Sequence, residues 1–142
     1  MKQENIILNK SFAFSVRIVN LYKYLCSEKK EYVLSKQLLR SGTSIGANVN
    51  EAQAAQSKND FISKMSIASK EARETKYWIE LLISTDYLKD KESYVESLKF
   101  EIDEIVENIV KNQKAEYDFT ADDGFGHHFW VINDDATIGR II

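Results

Sequence analysis

The sequence predicts an all-α fold: an antiparallel up-down four-helix bundle over residues 1–115, followed by a short tail, residues 116–142, that is either a β-hairpin or disordered. Three observations carry this prediction. Proline is absent, and Gly42 and Gly46 are the only glycines before residue 124, so most of the chain lacks the punctuation that short strands need. Apolar residues recur at helical spacing through four long segments. A length of 142 residues, 44% hydrophobic and 29% charged, suits one domain built around one core.

The first helix is expected from about Asn9 to Ser27, with Asn9 or Ser11 as N-cap. It carries two apolar stripes. Phe12, Val16, Val19, Tyr22 and Cys26 share one side, and Phe14, Ile18, Leu21 and Leu25 share another. A helix on the outside of a monomeric bundle needs one such stripe, so the second points either to a subunit interface or to a more enclosed helix. The single cysteine, Cys26, has no intramolecular disulfide partner and reads as a small core residue in a reducing compartment.

Glu28–Glu31 reads as a charged connection, and the second helix runs from Tyr32 or Val33 to Gln56. Leu34, Leu38, Ser41, Ile45, Val49 and Ala52 form its core face, and Arg40, Ser44, Asn48 and Glu51 form a separate polar stripe. Its many small residues suit close helix packing that offsets the roughly 1 kcal/mol of helix propensity lost at each glycine. The stripe is expected to hydrogen-bond across to Glu71 and Glu74 of the third helix, either of which could pair with Arg40, setting helix register or a subunit seam.

Ser57 followed by Asp60 is a helix-start signal, and the third helix should run from Lys58 to about Asp86. Phe61, Met65, Ala68, Ala72, Thr75, Ile79, Leu82 and Ile83 hold helical phase, while Ile67 and Trp78 widen the stripe beyond what one partner helix covers. Asp90 is a candidate N-cap for a fourth helix from Lys91 to Lys114, with Tyr94, Leu98, Ile102, Ile105 and Ile109 inward. Glu92, Glu96, Glu101, Glu104 and Glu107 read as its solvated face. No Glu-x-x-His pair accompanies them, which removes a di-iron site. In the tail, His127–Ile132 and Thr137–Ile142 are β-prone runs separated by the turn Asn133-Asp134-Asp135.

Chemistry finds little to rest on. His127 and His128 are adjacent and diverge in a helix or a strand, so even with Asp122, Asp123, Asp134 and Asp135 nearby no metal site is expected. There is no glycine-rich phosphate loop, and no nucleophile and base that a bundle would bring together. No catalytic residue, cofactor or metal is expected, and the protein is read as non-enzymatic. No apolar run approaches a signal peptide or the ~20 residues of a membrane span, so a cytoplasmic protein without membrane contact is expected. The net charge of −3 conceals an asymmetry: residues 1–115 hold 18 basic and 16 acidic side chains, and residues 116–142 hold one Arg against six acids. A body at +2 is weakly basic for a nucleic-acid binder.

The run QLLRSGTSIGANVNEAQAAQSKNDFISKMSIASKEARETKYWIELLISTDYL resembles the bacterial four-helix-bundle proteins known as 23S ribosomal RNA intervening-sequence proteins, to which the accessory variability proteins of diversity-generating retroelements are related. The resemblance rests on Gln37-x-x-Arg40, Ser44-Ile45-x-x-Asn48-x-x-Glu51, Phe61 with Ile67-Ala68, and Glu71-x-x-Glu74, and it covers about residues 8–114. It implies a ring-like homopentamer that would use the second stripe of helix one and the surplus surface of helix three. By analogy with the retroelement relatives it also implies an RNA or protein partner, with Lys29, Lys30, Lys36, Lys58 and Lys64 (and beyond them Lys70 and Lys76) as candidate nucleic-acid contacts. Many members read Glu-Gly where this chain has Glu51-Ala52. The function expected is an oligomeric interaction or scaffold module, with an RNA- or DNA-binding accessory factor as the alternative.

Overall fold

The computed structural model describes residues 5–122, 129–132 and 138–141, with side chains as far as residue 115. Four helices form in the order α1 (Ile6–Ser27), α2 (Leu34–Ala52), α3 (Lys58–Ser84) and α4 (Glu92–Asp122), with a 3-10 turn at Lys89–Lys91 before α4. Each helix packs on its sequence neighbours, and α4 packs back on α1. Contacts run in opposite sequence directions along these seams. Lys10 meets Glu104 while Arg17 meets Glu101, and Gln113 reaches Ile62 while Lys76 reaches Asp103.

The core is built from Phe14, Ile18, Leu21 and Leu25 of α1, Leu38, Ile45 and Val49 of α2, Met65, Ile79 and Leu82 of α3, and Leu98, Ile102, Ile105 and Ile109 of α4. Of the two stripes on α1, the one through Phe14 therefore faces inward. Ile83, expected in the core, is 37% exposed, because α3 ends one residue later and its last turn projects past the buried Leu82. Phe61 and Tyr94 lie half-buried at the edges of the core, where Ile62 and Val95 take the innermost positions.

Helix boundaries differ from the sequence expectation where polar caps intervene. α1 begins at Ile6, with Asn5 as N-cap accepting from the Leu8 N–H at 3.1 Å. The expected caps Asn9 and Ser11 lie inside the helix, since the buried Ile7 draws the preceding turn into it. α2 stops at Ala52 instead of Gln56: the N–H groups of Gln53, Ala54 and Ala55 bond three residues back, tightening the chain into the turn that delivers Ser57. The Ser57 hydroxyl caps α3 by accepting from the Asp60 N–H at 3.0 Å. Asp90 lies in the 3-10 turn and its side chain faces α1 and its C-terminal connection, so it does not cap α4.

α4 continues past Lys114 to Asp122, so the helix crosses the composition change at residue 116. Beyond it, β1 (Phe129–Ile132) and β2 (Ile138–Ile141) pair antiparallel, with Phe129 opposite Ile141 and Ile132 opposite Ile138. His127, His128, Asp123, Asp134 and Asp135 lie outside the described residues.

The sharpest packing constraint is at the α1–α2 crossing. A β-carbon on Gly42 would stand 2.7 Å from Ile18 Cγ2, and one on Gly46 would stand 3.0 Å from Ser15 Oγ and 3.1 Å from the Ser11 carbonyl oxygen. Two glycines one turn apart thus let the α2 backbone lie directly on α1.

Candidate interaction surface

The polar stripe of α2 divides in two. Arg40 reaches α3, where its guanidinium bonds Glu74 and lies 3.5 Å from a Glu71 carboxylate oxygen; its Nε also donates to Gln37 Oε1 at 3.3 Å. Glu74 accepts in addition from the Trp78 indole N–H at 2.9 Å. Glu74 is thus the nearer partner and Glu71 the longer contact. Asn48 turns back on its own helix and donates to the Ser44 carbonyl at 2.8 Å, and Glu51 is exposed near the end of α2. An exposed ion pair of this kind contributes about 0–1 kcal/mol.

Beneath it lies a contact that sequence reasoning missed. Ser41 and Thr75, both placed on core faces, are fully buried, and their hydroxyls meet at 3.0 Å across α2 and α3. The signal was available, since a hydroxyl on a core face requires a partner. Buried Gln113 has the same logic: its amide donates to the Ile62 carbonyl at 3.0 Å and to Ser66 Oγ at 2.9 Å, joining α4 to α3. Glu31, read as part of a charged connection, is also buried, and its carboxylate accepts from the backbone N–H groups of Val33, Leu34 and Ser35. A carboxylate there meets the positive end of the α2 dipole.

On α4, Glu101 and Glu104 are half-buried and paired with Arg17 and Lys10, so only part of the acidic row is solvated. Arg17 also stacks over the Tyr94 ring, 4.4 Å from its centroid. Near the other end of this seam Lys29 lies 3.3 Å from Asp90, and the Tyr24 hydroxyl donates to the same carboxylate. The Tyr24 hydrogen bond, aided by Lys29, holds the Asp90 carboxyl below its usual range, and the Asp90 contact raises Lys29. Burial, then Asp90, raises Tyr24.

The candidate nucleic-acid contacts do not converge. Lys29, Lys30 and Lys36 cluster at the α1–α2 connection, whereas Lys58 and Lys64 begin α3 at the far end. The 19 residues of α2 put roughly 28 Å between those ends. Lys29 is committed to Asp90 and Lys76 to Asp103. Among the described residues, no group of three or more His, Cys, Asp or Glu side chains is placed to hold a metal ion, and no helix is long and apolar enough to cross a membrane.

The most distinctive surface is apolar. Phe12 is 70% exposed and Val16 47%, with Val19 and Tyr22 half-buried on the same side of α1. Beside them a groove of about 690 Å³ runs between Leu8, Asn9, Phe12 and Ser15 of α1 and Thr43, Gly46, Ala47 and Asn50 of α2. Gly46 and Ala47 keep its α2 wall low. No lining residue carries a charge.

The molecule is therefore a four-helix bundle with a charged network on the α2–α3 seam and an uncharged, exposed groove on the α1–α2 seam. The chain belongs to the family described as 23S rRNA-intervening sequence protein, whose family model matches residues 3–111. A second model, for a protein family of unknown function (DUF1015), matches residues 93–142. No curated protein matches the chain. Among solved structures, a protein of unknown function from the S23 ribosomal protein family of Bacteroides thetaiotaomicron is 55% identical, with a TM-score of 0.72; the match covers 76% of this chain and 98% of that one.

Proposed function

We propose that the protein is a non-enzymatic interaction module that works as a homo-oligomer, with the α1 face around Phe12 and the adjoining groove forming the contact between copies. The observation that carries this reading is the exposure of Phe12 and Val16 on a helix whose other stripe already supplies the core. Burying a side chain such as Phe or Val contributes about 1.5–3 kcal/mol, a gain the isolated bundle forgoes at each position. Family resemblance supplies the expected form, a closed ring of five copies, and a closed ring covers such a face on every subunit.

Native mass spectrometry at about 10 µM protein tests this. The unmodified chain is expected to run as an oligomer of its 16.4 kDa subunit, and Phe12→Glu is expected to run as a monomer with unchanged helical circular dichroism. A monomeric unmodified chain at that concentration overturns the reading.

The alternative, an RNA-binding accessory factor, rests on the family's retroelement relatives and has less support, because its candidate lysines lie at two ends of the bundle. Failure to bind structured RNA even at low ionic strength ends it.

A further inference from the structure

We propose that the β1–β2 hairpin is a docking edge, which takes one extended, basic strand of another protein alongside β2. The inference is independent of any contact between copies of the bundle. Among the described residues the sheet has two strands of four residues each, and β1 is the strand packed against α4. The outer edge of β2 therefore keeps a row of backbone N–H and C=O groups unpaired. A hairpin of two strands is marginal in water, and a third strand is the addition that stabilises it.

The sequence of the strands points the same way. Every residue of β1, Phe129-Trp130-Val131-Ile132, is apolar. The register places Phe129 and Val131 on one face with Ile141 and Gly139, and Trp130 and Ile132 on the other with Arg140 and Ile138. A hairpin that lies on one helix needs a single apolar face and would alternate, whereas a continuously apolar strand suits a larger sheet covered on both sides. The bundle's family model ends at residue 111, while the second model spans α4 and the hairpin as one block, residues 93–142. The hairpin thus lies outside the matched bundle.

Charge selects the occupant. Residues 116–142 hold one Arg against six acids, a net −5, and Asp134 and Asp135 fall in the connection between the strands. Two such hairpins set edge to edge would bring −5 against −5, which disfavours a second copy as the added strand. A strand with Lys or Arg at alternate positions is instead attracted to the same edge. Main-chain hydrogen bonds then supply affinity, and the alternate side chains supply specificity.

The test titrates the full chain with a peptide of alternating Val and Lys, acetylated and amidated at its ends, and follows backbone amide signals by NMR. Saturable binding is expected, with shifts centred on residues 138–141 and slower hydrogen exchange at their amides. Two altered peptides separate the causes. N-methylation along the peptide deletes its N–H donors and keeps every charge, and Glu in place of Lys reverses the charge; each is expected to weaken binding at least about tenfold. A chain ending after Asp122 is expected not to bind. Equal affinity for the N-methylated peptide, undiminished binding to the shortened chain, or no saturable binding of the Val-Lys peptide overturns the inference. If the shortened chain has fewer subunits than the full chain in native mass spectrometry, the hairpin pairs with a second copy; this inference then fails and the oligomeric reading survives.

Discussion

At Gly42 a β-carbon would stand 2.7 Å and 2.8 Å from the two γ-carbons of Ile18, with the Ile18 β-carbon at 3.2 Å. Ile18 is branched and fully buried, so it cannot swing aside, and relief requires the two helices to separate. Replacing a helical glycine by alanine ordinarily gains about 1 kcal/mol of helix propensity, but overpacking costs about 1–3 kcal/mol. Gly42→Ala is therefore expected to lower stability by up to about 2 kcal/mol, read as a lower urea midpoint with an unchanged slope. Glu31 makes a different kind of local contribution. Its carboxylate satisfies three N–H groups at the start of α2 that would otherwise lack partners. Glu31→Ala should cost about 1–2 kcal/mol, as loss of a strong N-cap does, with Glu31→Gln intermediate because one acceptor oxygen remains. A stability for Glu31→Ala equal to that of the unmodified chain would falsify the capping role.

At the scale of helices, two contacts bear on the α2–α3 register. The Arg40–Glu74 pair is substantially exposed, and a double-mutant cycle on it should give a coupling of about 0.2–1 kcal/mol that shrinks with added salt. The Ser41–Thr75 hydrogen bond is fully buried, but Thr75 Oγ1 also bonds the Glu71 carbonyl oxygen at 2.7 Å, so Ser41→Ala removes one bond between helices without stranding the Thr75 hydroxyl and should cost about 0.5–1.5 kcal/mol with no salt dependence. Salt separates the two contributions, since only the ion pair at the rim of the seam is screened. Core faces were legible in the sequence because Leu38, Ile45, Met65 and Leu98 obey helical periodicity, which depends only on spacing. Which polar side chains pair was not, because Asn48 and Arg40 share a stripe and yet take different partners, one intrahelical and one across. The Glu31 cap escaped notice for a similar reason: its place in a charged run hid a carboxylate that folds back over the next helix. On the α1–α4 seam, pH supplies the probe. Because the Asp90 carboxyl is held below its ordinary value near 3.8, its contribution to stability is fully present above that value and is lost as pH falls through the lower, folded-state value. The stability difference between the unmodified chain and Asp90→Asn should therefore be constant near neutrality and vanish in strong acid. A difference that persists unchanged at pH 2 sinks the assignment.

At the scale of the whole molecule, the chain joins a body of net +2 to an acidic terminal stretch, and α4 runs continuously across the change to Asp122. Among the described side chains, the hydrophobic core cluster lies between Ile7 and Ile109. The family match ends at residue 111, and the Bacteroides thetaiotaomicron relative, covered over 98% of its length by 76% of this chain, has no counterpart to a quarter of the present one. The expectation that follows is a cooperative unit made by the helices. A chain ending after Asp122 keeps the described helices and the buried contacts of Gln113 to Ile62 and Ser66, and so should unfold in one transition with a melting temperature within about 4 °C of the full chain, the shift expected for less than about 1 kcal/mol. Calorimetry distinguishes this from a tail that is part of the core. If the shortened chain melts more than about 10 °C lower, or in a broad non-cooperative transition, residues 123–142 supply buried surface that the bundle needs, and the bundle is not the folding unit.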